Sequence, residues 1–143
     1  VSGGLLALIV TAFAFLMASG PLIGDQMCTL VGCVGGLEIE LTGLPDATPY
    51  EISIVFPSGE TPTLTCGTEN DQSEAFVKSC SPNGAFFRLI PDAEPPQEIT
   101  VTVTVDGSQT SETFRPVYEK IQPNGENCSP ICYSATIFMN ISR

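Results

Sequence analysis

The run Ile99, Val101, Val103, Val105, alternating without a break with Thr100, Thr102 and Thr104, limits what this chain can fold into more than any other feature. A period of two places every apolar side chain on one face of an extended strand and every hydroxyl on the other, and it matches no helix. The pattern recurs. Leu37, Ile39 and Leu41 alternate with Glu38, Glu40 and Thr42, and Tyr50, Ile52, Ile54 and Phe56 alternate with Glu51, Ser53 and Val55. Near the end, Tyr133, Ala135, Ile137, Met139 and Ile141 alternate with Ser134, Thr136, Phe138 and Asn140. Each reads as a half-buried antiparallel strand. Weaker strand candidates lie at 61–66, 74–80, 84–90 and 110–118.

Turn chemistry separates these runs: Pro45-Asp46, Pro57-Ser58-Gly59, Pro82-Asn83-Gly84, Asp106-Gly107 and Pro123-Asn124-Gly125. Asp106-Gly107 is expected to join two strands as a tight hairpin. About seven or eight short strands at this spacing, with no helical stripe among them, predict a mainly β domain, an antiparallel immunoglobulin-like β-sandwich. The likeness is architectural, because the chain has no Trp and so lacks the Cys…Trp…Cys core. The stretch 91–96 (PDAEPP) is too short to divide domains and reads as a crossover between the sheets. Gly35-Gly36 reads as a loop before a strand.

Residues 1–24 carry no charge, and all 16 acidic and 5 basic side chains lie beyond them. The apolar run 5–18 is broken only by Thr11. As a helix, about 20 uncharged residues span ~30 Å, the thickness of a bilayer core. Pro21 and Gly24 then end the helix, and Asp25 and Gln26 mark water. The expected organisation is a transmembrane α-helix over 1–24, a single span, followed by an extracytoplasmic disulfide-stapled domain over 25–143. Small residues such as Gly3, Gly4, Ala7, Ala12 and Ala14 let another helix approach closely, so integral membrane subunits are the expected partners.

Two other fates compete for this segment. A cleaved secretory signal suits the apolar run, but a basic n-region is missing and Pro21 follows Ala18-Ser19-Gly20. Leu30-Val31-Gly32-Cys33 resembles a bacterial lipobox, although Pro21, Asp25 and Gln26 separate it from the apolar run. The nearest basic residue is Lys78, so the positive-inside rule has little to count. The cysteines set the orientation instead, with the domain on the periplasmic or extracellular side.

Six cysteines, all beyond the uncharged segment, read as disulfides formed outside the cytoplasm. Cys66 and Cys80 lie in neighbouring strand candidates and are expected to pair. Cys28 and Cys33 are then left to pair with Cys128 and Cys132, in an order that spacing leaves open. Such a crosslink closes about 100 residues, worth roughly 4–5 kcal/mol in the chain-entropy model, and would hold the domain in a fixed pose. A four-thiolate zinc site needs tighter spacing and a reducing compartment, so no metal is expected.

A net charge of −11 repels nucleic-acid phosphates and anionic lipid surfaces, and no nucleic-acid partner is expected. With no histidine and no nucleophile–base pair, P-loop or dinucleotide fingerprint, no catalytic residue and no cofactor are assigned. The loop Glu69-Asn70-Asp71-Gln72-Ser73-Glu74 lacks the spacing of a calcium-binding EF-hand and reads as solvated. Asn140-Ile141-Ser142 matches a glycosylation sequon inside a predicted strand and is read as chance.

The expected function is a non-catalytic accessory or structural subunit of a larger membrane complex, such as a bacterial respiratory or photosynthetic assembly. The alternatives are a filament subunit that self-associates and a secreted or lipid-anchored envelope protein. The layout of an uncharged head before a disulfide-bearing β domain resembles that of type IV pilins and their archaeal relatives. The bacterial pattern, an aromatic first residue and Glu at the fifth position, is replaced here by Val1 and Leu5. The stretch 123–132 (PNGENCSPIC) resembles the tails of secreted bacterial β domains, which implies an exported setting.

Overall fold

A computed structural model of the chain describes residues 28–67 and 77–141. The expected helix over 1–24 and the acidic loop 69–74 lie outside the described residues. Within them there are strands and no helix: β1 (Gly36–Thr42), β2 (Tyr50–Val55), β3 (Thr63–Cys66), β4 (Lys78–Ser81), β5 (Gly84–Arg88), β6 (Ile99–Val105), β7 (Ser108–Phe114), β8 (Glu119–Ile121) and β9 (Cys132–Asn140). They form a five-stranded sheet in the order β4-β5-β1-β9-β8 and a four-stranded sheet in the order β3-β2-β6-β7. The protein is therefore mainly β, with two sheets.

The alternation places the core. Ile99, Val101, Val103 and Val105 of β6 are buried with Ile52 and Ile54 of β2, and they share one apolar cluster with Leu37 and Ile39 of β1 and Ile137 and Met139 of β9. Each such side chain contributes about 1.5–3 kcal/mol on burial. On the other face of the four-stranded sheet, the Thr100 hydroxyl meets that of Thr113 at 2.9 Å, and Thr102 meets Ser111 at 2.9 Å. The hairpin at Asp106-Gly107 joins β6 to β7, with Val105 opposite Ser108. Both turn residues have positive φ, 48° and 76°, as a two-residue hairpin that follows the strand twist requires. The stretch 91–96 lies between β5 and β6 and so carries the chain from one sheet to the other.

Three expectations change. The strands are not all antiparallel: β1 runs parallel to β9 over the whole of β1, with Leu37 opposite Ala135 and Ile39 opposite Ile137. Alternation reports which face is buried and says nothing of direction, and these two strands are the farthest apart in sequence, so no hairpin dictates their sense. The candidate at 110–118 holds strand only to Phe114, because Pro116 cannot continue the ladder, and the chain crosses to the other sheet before a separate strand, β8, begins at Glu119. Gly35 and Gly36 also do more than precede a strand. A Cβ on Gly36 would lie 2.4 Å from the Phe86 ring, and one on Gly35 would lie 2.4 Å from the Tyr133 carbonyl oxygen. Only glycine fits where these backbones approach.

Candidate functional site

The strand directions define two ends. β1 and β9 start at one, where Gly36 lies opposite both Arg88, the last residue of β5, and Ser134. β8 starts there too, with Glu119 opposite Ser134. In the other sheet β6 starts and β7 finishes there, with Ile99 opposite Phe114. We call this the proximal end, since the chain reaches it from residue 28.

Residues 28–35 form no strand, yet they are held at both ends. Cys28 is bonded to Cys128 and Cys33 to Cys132, with Cα atoms 5.6 and 6.1 Å apart. Between the two crosslinks lies Asn124, the one buried polar side chain among the described residues. Its Oδ1 accepts from the Val31 N–H at 2.9 Å and from the Thr29 hydroxyl. Its Nδ2 donates to the Val31 carbonyl at 2.9 Å and to the Ser129 carbonyl at 2.7 Å. Both donors and both acceptor positions of the amide are thus used. The side chain pairs with Val31 as a neighbouring backbone would in a sheet.

A second set of contacts ties this tip to the crossover. The Leu89 N–H donates to the Gly35 carbonyl at 3.0 Å, and the Asp92 N–H donates to the Ile131 carbonyl at 2.8 Å. The Asp92 carboxylate accepts from the Ile131 N–H at 2.8 Å and from the Ser129 hydroxyl at 3.1 Å. Farther along, the Tyr118 hydroxyl donates to the Pro96 carbonyl at 2.8 Å. The Tyr118 ring stands edge-on to Tyr133, 6.4 Å between centroids. Burial pushes the Tyr118 phenol up to about 12. An open cleft of about 470 Å³ runs beside the crossover, walled by Phe56, Leu89, Ile90, Pro95 and Pro96, with Glu60 and Arg88 also in its lining. The arrangement offers apolar surface and charge for contact.

Of the singled-out residues, the structure brings Cys28, Cys33, Cys128 and Cys132 together at this end. It places Cys66 and Cys80 elsewhere, bonded to each other across the edges of the two sheets. Asn140 is exposed at the last position of β9. No group of three or more acidic or cysteine side chains among the described residues is placed to hold a metal ion. Asn124 and Asp92 are the residues that sequence reasoning passed over. Asn124 sits in a Pro-Asn-Gly triplet like that at 82–84, where Asn83 is exposed, so only its place between two cysteine pairs could have drawn attention to it. Comparison with protein-family models, curated proteins and solved structures finds no match to this chain.

Proposed function

We propose that this protein is a non-catalytic, membrane-anchored structural or accessory subunit whose β domain is carried in a fixed pose on the periplasmic or extracellular side. One observation carries the reading: the segment that follows the uncharged stretch is locked to the domain by two disulfides and the Asn124 amide. A tether that only kept a domain near a membrane would need none of these. A chain that must present a surface at a set height and angle needs all of them. The two sheets are read as an immunoglobulin-like sandwich in architecture, and the uncharged stretch as a single span packed against integral membrane subunits through its small residues.

The test is detergent extraction of native membranes followed by isolation of the full chain. Recovery with a larger membrane assembly supports the proposal. Recovery in sheared extracellular fibres means the filament reading, and release into buffer with a new N-terminus near Pro21 or Cys33 means an exported protein.

A further inference from the structure

Of the eight exposed large apolar side chains among the described residues, seven gather at one end, Val55 at the close of β2 among them; the eighth, Phe138, is 65% exposed on β9 toward the distal end. Leu30, Val31 and Val34 project from the locked segment, Leu30 fully exposed. Val77 lies just before β4, Ile90 just after β5 and Val117 just before β8; the last two are 75% and 91% exposed. All six are at the proximal end: Val77 accepts from the Arg88 N–H there, and Val117 adjoins Tyr118, which is bonded to Pro96. Among the described residues the distal turns at 43–49, 82–83 and 106–107 carry no exposed large apolar side chain. The basic residues follow the same distribution. Lys78 begins β4, Arg88 ends β5, Arg115 follows β7 and Lys120 lies in β8, so every described Lys and Arg is at this end.

We propose that the proximal end is a lipid-contacting face, resting in the head-group region of the bilayer that the uncharged segment enters. The inference rests on the membrane-anchoring reading above. Chain length decides the occupant. Uncharged sequence stops at Gly24 and the first crosslinked residue is Cys28. Four residues reach at most about 14 Å. The head-group layer on each side of a bilayer is itself ~5–8 Å thick. A domain crosslinked at residue 28 is therefore held within about 6–9 Å of the head groups, and the end it turns to the surface is this one. Exposed aliphatic side chains gain by entering the acyl boundary, and Lys and Arg meet lipid phosphates with their long stems buried. Glu60, Asp92, Glu94, Glu98 and Glu119 share the same end, and Glu98 meets Arg115 at 3.2 Å. With Glu126 also at this end, the carboxylates slightly outnumber the cations, so the mixture suits zwitterionic lipid and not anionic lipid.

The chain contains no Trp, so a single introduced Trp reports its own surroundings. Full-length Ile90→Trp, Val117→Trp and, as a distal control, Gln109→Trp would each be reconstituted into phosphatidylcholine vesicles with and without bromine on the acyl chains near the head group. The expected result is flotation of all three with the vesicles and several-fold stronger bromine quenching at positions 90 and 117 than at 109. Flotation with equal or no quenching at the three positions overturns the lipid face and leaves the anchor standing. A blue shift at 90 and 117 without quenching means that a protein, a second copy or another subunit, covers this end, and also overturns it. Failure to float overturns the anchor and this inference together.

Discussion

At the distal end the chain reverses in short turns closed by local backbone chemistry, whereas at the proximal end a segment without a strand of its own is fixed by covalent crosslinks and one buried amide. The distal turns include Asp106-Gly107 with both φ values positive, and Pro82-Asn83 between Ser81 and Gly84. The Tyr50 hydroxyl donates to the carbonyls of Ser81 and Gly84 and closes that end over the core. The turns themselves are closed by partners at most 42 positions away, the Leu41 N–H donating to the Asn83 carbonyl, and the long-range bond at this end, from the Ile141 N–H to the Thr42 carbonyl, only extends the β1–β9 ladder. The proximal lock joins residues 93 to 100 positions apart. Turns suffice where the chain only changes direction. A lock is needed where an incoming segment must be held.

The sharpest way to break that contrast is to remove the lock. With Cys28, Cys33, Cys128 and Cys132 all replaced by Ser, urea unfolding should show a loss of about 7 kcal/mol, a large part of the ~5–15 kcal/mol typical of a domain. Replacing only one of the two pairs should cost about 2–3 kcal/mol, because the remaining bond still closes the long loop and the second closes only a small ring. Cys66→Ser with Cys80→Ser, which opens a loop of sequence separation 14, should cost about 3 kcal/mol. If the two single-pair costs summed to the cost of removing both, the crosslinks would act independently and not as a unit.

At the distal end the corresponding weakness is close backbone approach. A Cβ on Gly84 would lie 1.8 Å from the Ile39 carbonyl oxygen, so Gly84→Ala should destabilise by about 3 kcal/mol, measured by the same unfolding. Asn124→Ala should cost about 2 kcal/mol, and Tyr50→Phe about 1 kcal/mol. Hydrogen exchange separates this last pair. The first substitution should speed exchange at the Val31 amide and leave the distal hairpins unchanged, and the second should leave Val31 unchanged.

The smallest effect is in alkali. Unfolded Tyr118 ionises near 10, while burial holds the folded phenol to about 12. The folded state keeps its proton over that interval and the unfolded state loses it, so this contribution is complete below pH 10 and is lost as pH rises through 12. Tyr118→Phe should flatten the fall in melting temperature over that range.

How much of this was legible beforehand follows from burial. β1, β2, β6 and β9 each have one buried face, and their alternation reads directly from sequence. β7 is an edge strand exposed on most positions, so its sequence SQTSETF carries no such alternation, and β8 has only three residues. The parallel pairing of β1 and β9 is a matter of topology, which side-chain pattern does not encode. The spacing brought all six cysteines to notice but left the proximal pairing open. Asn124 was hidden because its burial is caused by a segment 93 positions earlier. The grouping of Lys78, Arg88, Arg115 and Lys120 was hidden for a similar reason: each lies near a strand terminus, and only the strand directions bring those termini together.

The central claim is that residues 28–35 belong to the rigid body of the domain. Backbone ¹⁵N order parameters for Leu30, Val31 and Val34 in the full chain test it most directly. The account predicts values of about 0.85, equal to those of β1 and β9. Values below about 0.6, with the disulfides intact, would contradict it.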